Sequence, residues 1–262
     1  MATLSRRSFV AAVPCLLVGG AASRQVQGAQ DAAVDVPQEY PATPPNLARE
    51  IVGASHGRTD RVRELLREDA GLAGAAWNWG FGDWETAIGA ASHVGRADII
   101  EILVAHGARP TIFTLATLDN VDALRAILDT MPDASNLEGP HSISLFDHAR
   151  AGKAERVMEF LEARGLKPER AFIERAAAEV YLGTYAWGDG ETERFEVTWS
   201  DRMSAMMLKR TGGLSRGLIP TGPHTFHPGG GKHVSIRFEM EDNRAVRLHV
   251  PAPGRVLIAE RM

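Results

Sequence analysis

The chain has 262 residues, 44% of them hydrophobic and 24% charged, a composition that excludes wholesale disorder. Its formal net charge of −4 is unevenly placed: residues 31–179 hold 15 basic and 24 acidic side chains, which argues against nucleic acid as a partner, because phosphate binding needs clustered Lys and Arg. The one cysteine, Cys15, falls in an N-terminal targeting segment, so the rest of the chain offers no disulfide, thiolate nucleophile or cysteine zinc site.

Ser5-Arg6-Arg7-Ser8-Phe9-Val10 is followed by an apolar run at 11–22. A charged start, a short apolar core and a small-residue stretch predict a signal peptide over 1–30. The run is too short for a spanning helix, which needs ~20 apolar residues. The adjacent arginines before Phe9 resemble the twin-arginine export signal, which implies a periplasmic or secreted protein. The alternative is a Sec signal that happens to carry two arginines. Cleavage falls near Ala21-Ala22 or near Gly28-Ala29. Residues 31–46, with Pro37, Pro41, Pro44 and Pro45, predict a flexible tether.

Internal periodicity comes next. Residues 86–108 run from Thr86 through Ala90-Ala91 and Gly95 to Ile99-Ile100, Leu103 and Gly107-Ala108. Thr86 predicts a cap on a first helix, Gly95 a turn, and Gly107 the end of a second helix. Weaker copies lie around Ala54-Ser55-His56-Gly57, Leu115-Ala116 and Leu145 to Gly152. Their turn positions are 57, 95, 119 and 152, spaced by 38, 24 and 33 residues. The pattern resembles the ankyrin repeat, departing from it at Ala87 and Gly89, where that family usually has Pro and His. The resemblance implies about four helix pairs over 47–166 that bind partners through their fingers. A further helix at 167–180 is expected to seal the open end.

From residue 181 the pattern changes to short alternating runs, such as Phe195-Glu196-Val197-Thr198-Trp199, separated by Gly188-Asp189-Gly190, Gly212-Gly213 and similar turns. Seven or eight strands over 181–262 predict a small antiparallel barrel or sandwich. The Gly183-Thr184-Tyr185 opening, the Leu218-Ile219-Pro220 and Ile236-Arg237-Phe238 strands and the final Ala259-Glu260-Arg261 resemble the β-domain appended to β-lactamase-like serine hydrolases. That likeness implies a lipocalin-like accessory fold with no catalytic residues. The expected fold class is therefore multidomain α + β: an ankyrin-type solenoid followed by a β-barrel or sandwich.

Gly53-Ala54-Ser55-His56-Gly57 matches the G-x-S-x-G elbow in letters, but an elbow needs a strand before it, and here a helix precedes. Gly229-Gly230-Gly231-Lys232 lacks the spacing of a phosphate loop and predicts a turn. None of the nine histidines falls in an H-E-x-x-H pattern or at i, i+4 spacing; His141 and His148, which flank Asp147, and His224, His227 and His233 are expected to be structural or solvated. No catalytic residue, metal ligand set or cofactor is expected. The remaining feature is the finger Trp77-Asn78-Trp79-Gly80-Phe81-Gly82-Asp83-Trp84-Glu85. Its aromatics Trp77, Trp79, Phe81 and Trp84, with His56 and His93 beside them, are the candidate binding residues, Trp84 being the one expected to be structural. Packing of these rings into the core is the competing expectation. The sequence thus predicts a non-catalytic exported adaptor for a protein or peptide, not membrane-spanning. The alternatives are a small-ligand carrier through the β-domain and an accessory subunit of an exported enzyme.

Overall fold

The computed structural model describes residues 42–166 and 173–262. The expected signal segment, the tether up to residue 41 and residues 167–172 of the expected sealing helix lie outside the described residues.

Eight helices come in four pairs: α1 Pro45–Ala54 with α2 Thr59–Glu68, α3 Ala87–His93 with α4 Ala97–Ala105, α5 Ile112–Thr117 with α6 Val121–Thr130, and α7 Leu145–Gly152 with α8 Glu155–Ala163. The first helix begins inside the expected tether. Pro45 occupies its first turn, where a missing N–H costs nothing and the fixed φ is already helical. Side-chain caps set several other starts: Thr86 accepts from Gly89 N, Asn120 from Ala123 N and Ser144 from Asp147 N. Each satisfies one otherwise orphaned N–H.

First helices pack on first helices, α1 on α3, α3 on α5 and α5 on α7, and α2 packs on α4 and α6 on α8. Apolar triplets at helical spacing drive this, among them Val62, Leu65 and Leu66, Ile99, Ile100 and Leu103, and Val157, Phe160 and Leu161, all buried. Two glycines let the layers touch through backbone. Gly95 has φ 75° and a Cβ there would stand 2.0 Å from Ala151 O; at Gly152 it would stand 2.1 Å from Thr117 O. The left-handed turn expected at Gly152 falls instead on Lys153, with φ 55°. Gly152 stays helical and serves the close approach.

Between the first two pairs runs the finger, a hairpin of β1 Ala76–Asn78 and β2 Trp84–Thr86, with Trp77 opposite Glu85. After the short α9 Arg175–Ala178 come eight strands: β3 Gly183–Ala186, β4 Arg194–Ser200, β5 Ala205–Arg210, β6 Ser215–Gly222, β7 Thr225–Pro228, β8 Ile236–Glu241, β9 Arg244–Ala252 and β10 Arg255–Arg261. Each pairs antiparallel with its neighbours in sequence, and β10 closes on β3. Of the two expected alternatives the structure is a closed barrel, which leaves no unpaired edge. Alternate residues such as Phe195 and Val197 fill its interior with Tyr185, Phe226, Phe238 and Leu248. Arg261 seals one end, donating to the carbonyls of Val180 and Ala245 and to Leu182 O. Residues 233–235 belong to the loop before β8.

Helices and barrel belong to one contact unit. Phe81, at the finger tip, packs against the barrel core. Gly230 N donates to Ser142 Oγ at 2.9 Å, and Lys232 pairs with Glu138 at 2.8 Å. The Gly-rich stretch is thus a docking turn. Among the described residues no helix is long and apolar enough to cross a membrane.

Candidate functional site

The finger aromatics divide by environment. Trp77 and Trp79 are half-buried and pack on the core of the first two helix pairs. Phe81 packs on the barrel, whereas Trp84 is 64% exposed. The structural role expected for Trp84 therefore belongs to its neighbours. Strand alternation explains this: residues 77, 79 and 85 cannot share a face with 84 along a hairpin. Ser55 is fully buried and its Oγ donates to Ile51 O at 2.8 Å. It sits at a helix end, so the elbow motif has no strained turn to act from.

His56 and His93, expected beside the finger, are there and they touch: their Nε2 atoms lie 3.1 Å apart. His56 follows α1 and His93 ends α3, and the packing of α1 on α3 stacks the two rings. The hairpin brings Glu85 beneath them, with Oε2 3.5 Å from His56 Nε2 and Oε1 2.9 Å from His93 Nε2. A third ring arrives from the turn before α7. His141 Nε2 lies 3.3 Å from Glu85 Oε1. One donor atom from each of His56, Glu85, His93 and His141 falls within 4.8 Å of the other three. Gly89 opens the way for this turn: a Cβ there would stand 3.3 Å from Pro140 Cγ.

Behind two of the three rings the second nitrogen is held as metal-ligating histidines usually are. His56 Nδ1 faces Val52 O at 3.1 Å. His141 Nδ1 faces Asp83 Oδ2 at 2.6 Å, and its backbone N–H donates to Asp83 Oδ1 at 2.9 Å. Both acceptors hold a proton on Nδ1, so that Nε2 is the nitrogen directed at the centre. Arg216 Nη1 also stands 3.0 Å from His141 Nδ1, but the shorter contact is to the carboxylate, which Arg216 itself pairs with. Trp79 Nε1 donates to Glu85 Oε2 at 2.6 Å. Glu85 is fully buried, and its Oε1 accepts no aligned hydrogen bond. The polar atoms nearest that oxygen are His93 Nε2 at 2.9 Å and His141 Nε2 at 3.3 Å. His141 and Ser142 hold φ near 60°, a backbone conformation that costs side-chain-bearing residues of order 1–3 kcal/mol each. The double grip of Asp83 on His141 offsets that cost.

Charges follow the geometry. Burial pushes the Glu85 carboxyl up, but His141 and His93 outweigh it and hold the group well below the usual range. Asp83 is lowered in the same way, its burial overcome by His141 and Arg216. Burial lowers His141, yet Asp83 and Glu85 raise it to about 9. His56 is lowered, chiefly by burial.

The three rings line a cleft of about 750 Å³ between helices and barrel, while Glu85 lies behind them, outside the lining. Sequence inspection missed the set because its members are far apart in the chain. The available signal was a histidine one or two residues before the turn glycine of two successive helix pairs, at 56 and 93, with Asp83 and Glu85 in the finger between them. Of the other histidines, His148 is buried between Phe113 and an edge-on His93, 6.5 Å away between centroids, His227 is buried on β7, and His224 meets the Tyr181 hydroxyl at 2.8 Å. No family model and no curated protein matches the chain.

Proposed function

We propose that this protein binds a divalent first-row transition metal through His56, Glu85, His93 and His141, reversing the expectation that it holds none. The carrying observation is the convergence of three imidazole nitrogens and a buried carboxylate within 4.8 Å. Bonds of about 2.0–2.1 Å place neighbouring donors about 2.9 Å apart at right angles and about 3.4 Å apart at tetrahedral angles; the contacts here start at 2.9 Å and 3.5 Å, and every donor lies within 4.8 Å of the others. Imidazole with one carboxylate suits zinc, iron, nickel or copper rather than calcium or magnesium, which prefer all-oxygen shells. On this reading the helix pairs are ankyrin-type repeats, and their first finger carries metal chemistry. Export through the N-terminal arginines fits such a protein.

Metal content after dialysis against zinc tests the reading. One zinc per chain is expected in wild type and in His106→Ala, an exposed histidine elsewhere. Glu85→Gln and His93→Ala should lose it. Zinc retained equally by all four proteins, or by none, would refute the centre. A second reading keeps the adaptor role and rests on Trp84, whose exposed ring offers an anchor of the kind protein interfaces use. Loss of partner recovery in Trp84→Ala at unchanged metal content would support it.

A further inference from the structure

We propose that the metal centre is an open one whose remaining coordination positions take the carboxylate of an amphipathic organic acid, the apolar body of which lies in the cleft between helices and barrel. The inference rests on the metal reading and extends it to a ligand class.

The first argument is directional. Glu85 is fully buried behind the centre, whereas His56, His93 and His141 are 33%, 10% and 26% exposed and line the cleft. All protein donors therefore approach from the floor and sides, and the face toward the cleft carries no protein ligand. Four protein donors close a tetrahedral site, but an ion that takes five or six ligands, such as iron, nickel or cobalt, keeps its remaining positions on the face toward the cleft.

The second argument is the chemistry of the walls. Among the described residues no Asp or Glu lines the cleft, and beside the three histidines it holds the cations Arg202 and Arg216. Arg216 is already committed to Asp83 and to Trp79 O, so it contributes potential rather than a free fork. The cation and the arginines favour an anionic head group. Opposite the histidines the barrel presents Met203, Met207, Leu214 and Ile219, with Val94 and Ile143 on the helical side. Met203 and Leu214 are 42% and 51% exposed, and Val94 37%, which leaves an apolar surface for a ligand to cover. The volume of about 750 Å³ lies within the ~300–1,000 Å³ of small-molecule sites. An oxyanion on the metal and methylenes against methionine and leucine match both halves.

Cobalt(II) in place of the native ion gives a visible spectrum that reports ligand exchange. The full chain loaded with cobalt would be titrated with decanoate, with acetate as head group alone and decanol as body alone. Decanoate is expected to shift the bands and to bind at least ~10-fold tighter than acetate, since each buried methylene adds to affinity. Leu214→Asp, on the wall rather than the centre, should keep the cobalt bands and lose the preference for decanoate. Equal affinities for decanoate and acetate, or cobalt bands that ignore decanoate, would overturn the ligand assignment while leaving the centre standing. Failure of cobalt to bind would instead strike the metal reading beneath it.

Discussion

Asp83 of the finger and Arg216 of β6 form an ion pair with side chains only 2% and 9% exposed, and through it the barrel grips the residue that orients His141. One carboxylate thereby serves two purposes, holding the two halves of the protein together and fixing a ring nitrogen behind the centre. Removing one partner of a buried pair strands the other's charge, at about 3–5 kcal/mol. Arg216→Met should lower unfolding free energy by about that amount in chemical denaturation. Asp83→Asn can still bond to His141 but no longer favours its Nδ1 proton, so metal affinity should fall ~10–100-fold. Titration calorimetry showing wild-type affinity in Asp83→Asn would contradict the role given to Asp83.

Metal binding should release the His141 proton. With its value raised to about 9, the metal-free ring is charged at pH 7, and coordination needs its Nε2 lone pair. About one proton from this ring should therefore leave on binding at pH 7, about half of one near pH 9, and almost none well above that pH. Calorimetry in buffers of different ionisation enthalpy counts it. The stability of the metal-free protein follows the same shift. A group raised above its unfolded value of about 6.5 contributes fully below that pH and loses its contribution as pH rises through its folded value. The melting temperature of metal-free protein should thus fall between pH 6.5 and about 9. In the metal-loaded form this loss should be absent.

Local rules carried most of the architecture. Thr86 and Gly95 mark the ends of α3 because capping and turn chemistry act within a few residues. The strand at 195–199 shows by alternation, because one face is buried in the barrel. The centre was not legible. Its donors at 56, 85, 93 and 141 share no local spacing, and they meet only because α1 packs on α3 and the turn at 139–142 folds over Gly89. Nor could alternation tell barrel from sandwich, since closure depends on β10 reaching β3. The inward side of the finger depends likewise on where the barrel docks.

Backbone contact between layers makes a sharp contrast among glycines. Gly152→Ala puts a methyl 2.1 Å from Thr117 O, so the helices must separate and their buried apolar contacts loosen. Overpacking of this kind costs about 1–3 kcal/mol, and more where backbone is the obstacle. At Gly74 nothing lies within 4 Å and φ is not left-handed. Gly74→Ala should be neutral or stabilising by about 0.4–1 kcal/mol, through the unfolded chain. Urea denaturation of the two variants should move the midpoint in opposite directions or leave Gly74→Ala unmoved. A common shift in both would mean that the layers are not in backbone contact at Gly152.

The tryptophans of the finger should separate by what each ring touches. Trp84 is 64% exposed, so Trp84→Ala should change the melting temperature little, surface changes usually staying within about 0.5 kcal/mol. Trp79 packs on the helical core, donates from Nε1 to Glu85 Oε2 at 2.6 Å and meets His56 edge-on at 6.5 Å between centroids. Its truncation to Ala removes packing and orientation together, and a loss approaching the ~3–5 kcal/mol of large aromatic deletions is expected, reduced because the ring is only half-buried. Trp79→Phe separates the two contributions. The phenyl ring keeps most of the apolar contact but offers no donor, so Glu85 loses the bond that fixes its second oxygen. The stability of metal-free protein should then fall less than in Trp79→Ala, by about the 1–3 kcal/mol of a buried acceptor left unpaired, while zinc affinity drops ~10-fold or more. Wild-type zinc affinity in Trp79→Phe would show that the indole only packs, and Glu85 would need another support for its orientation.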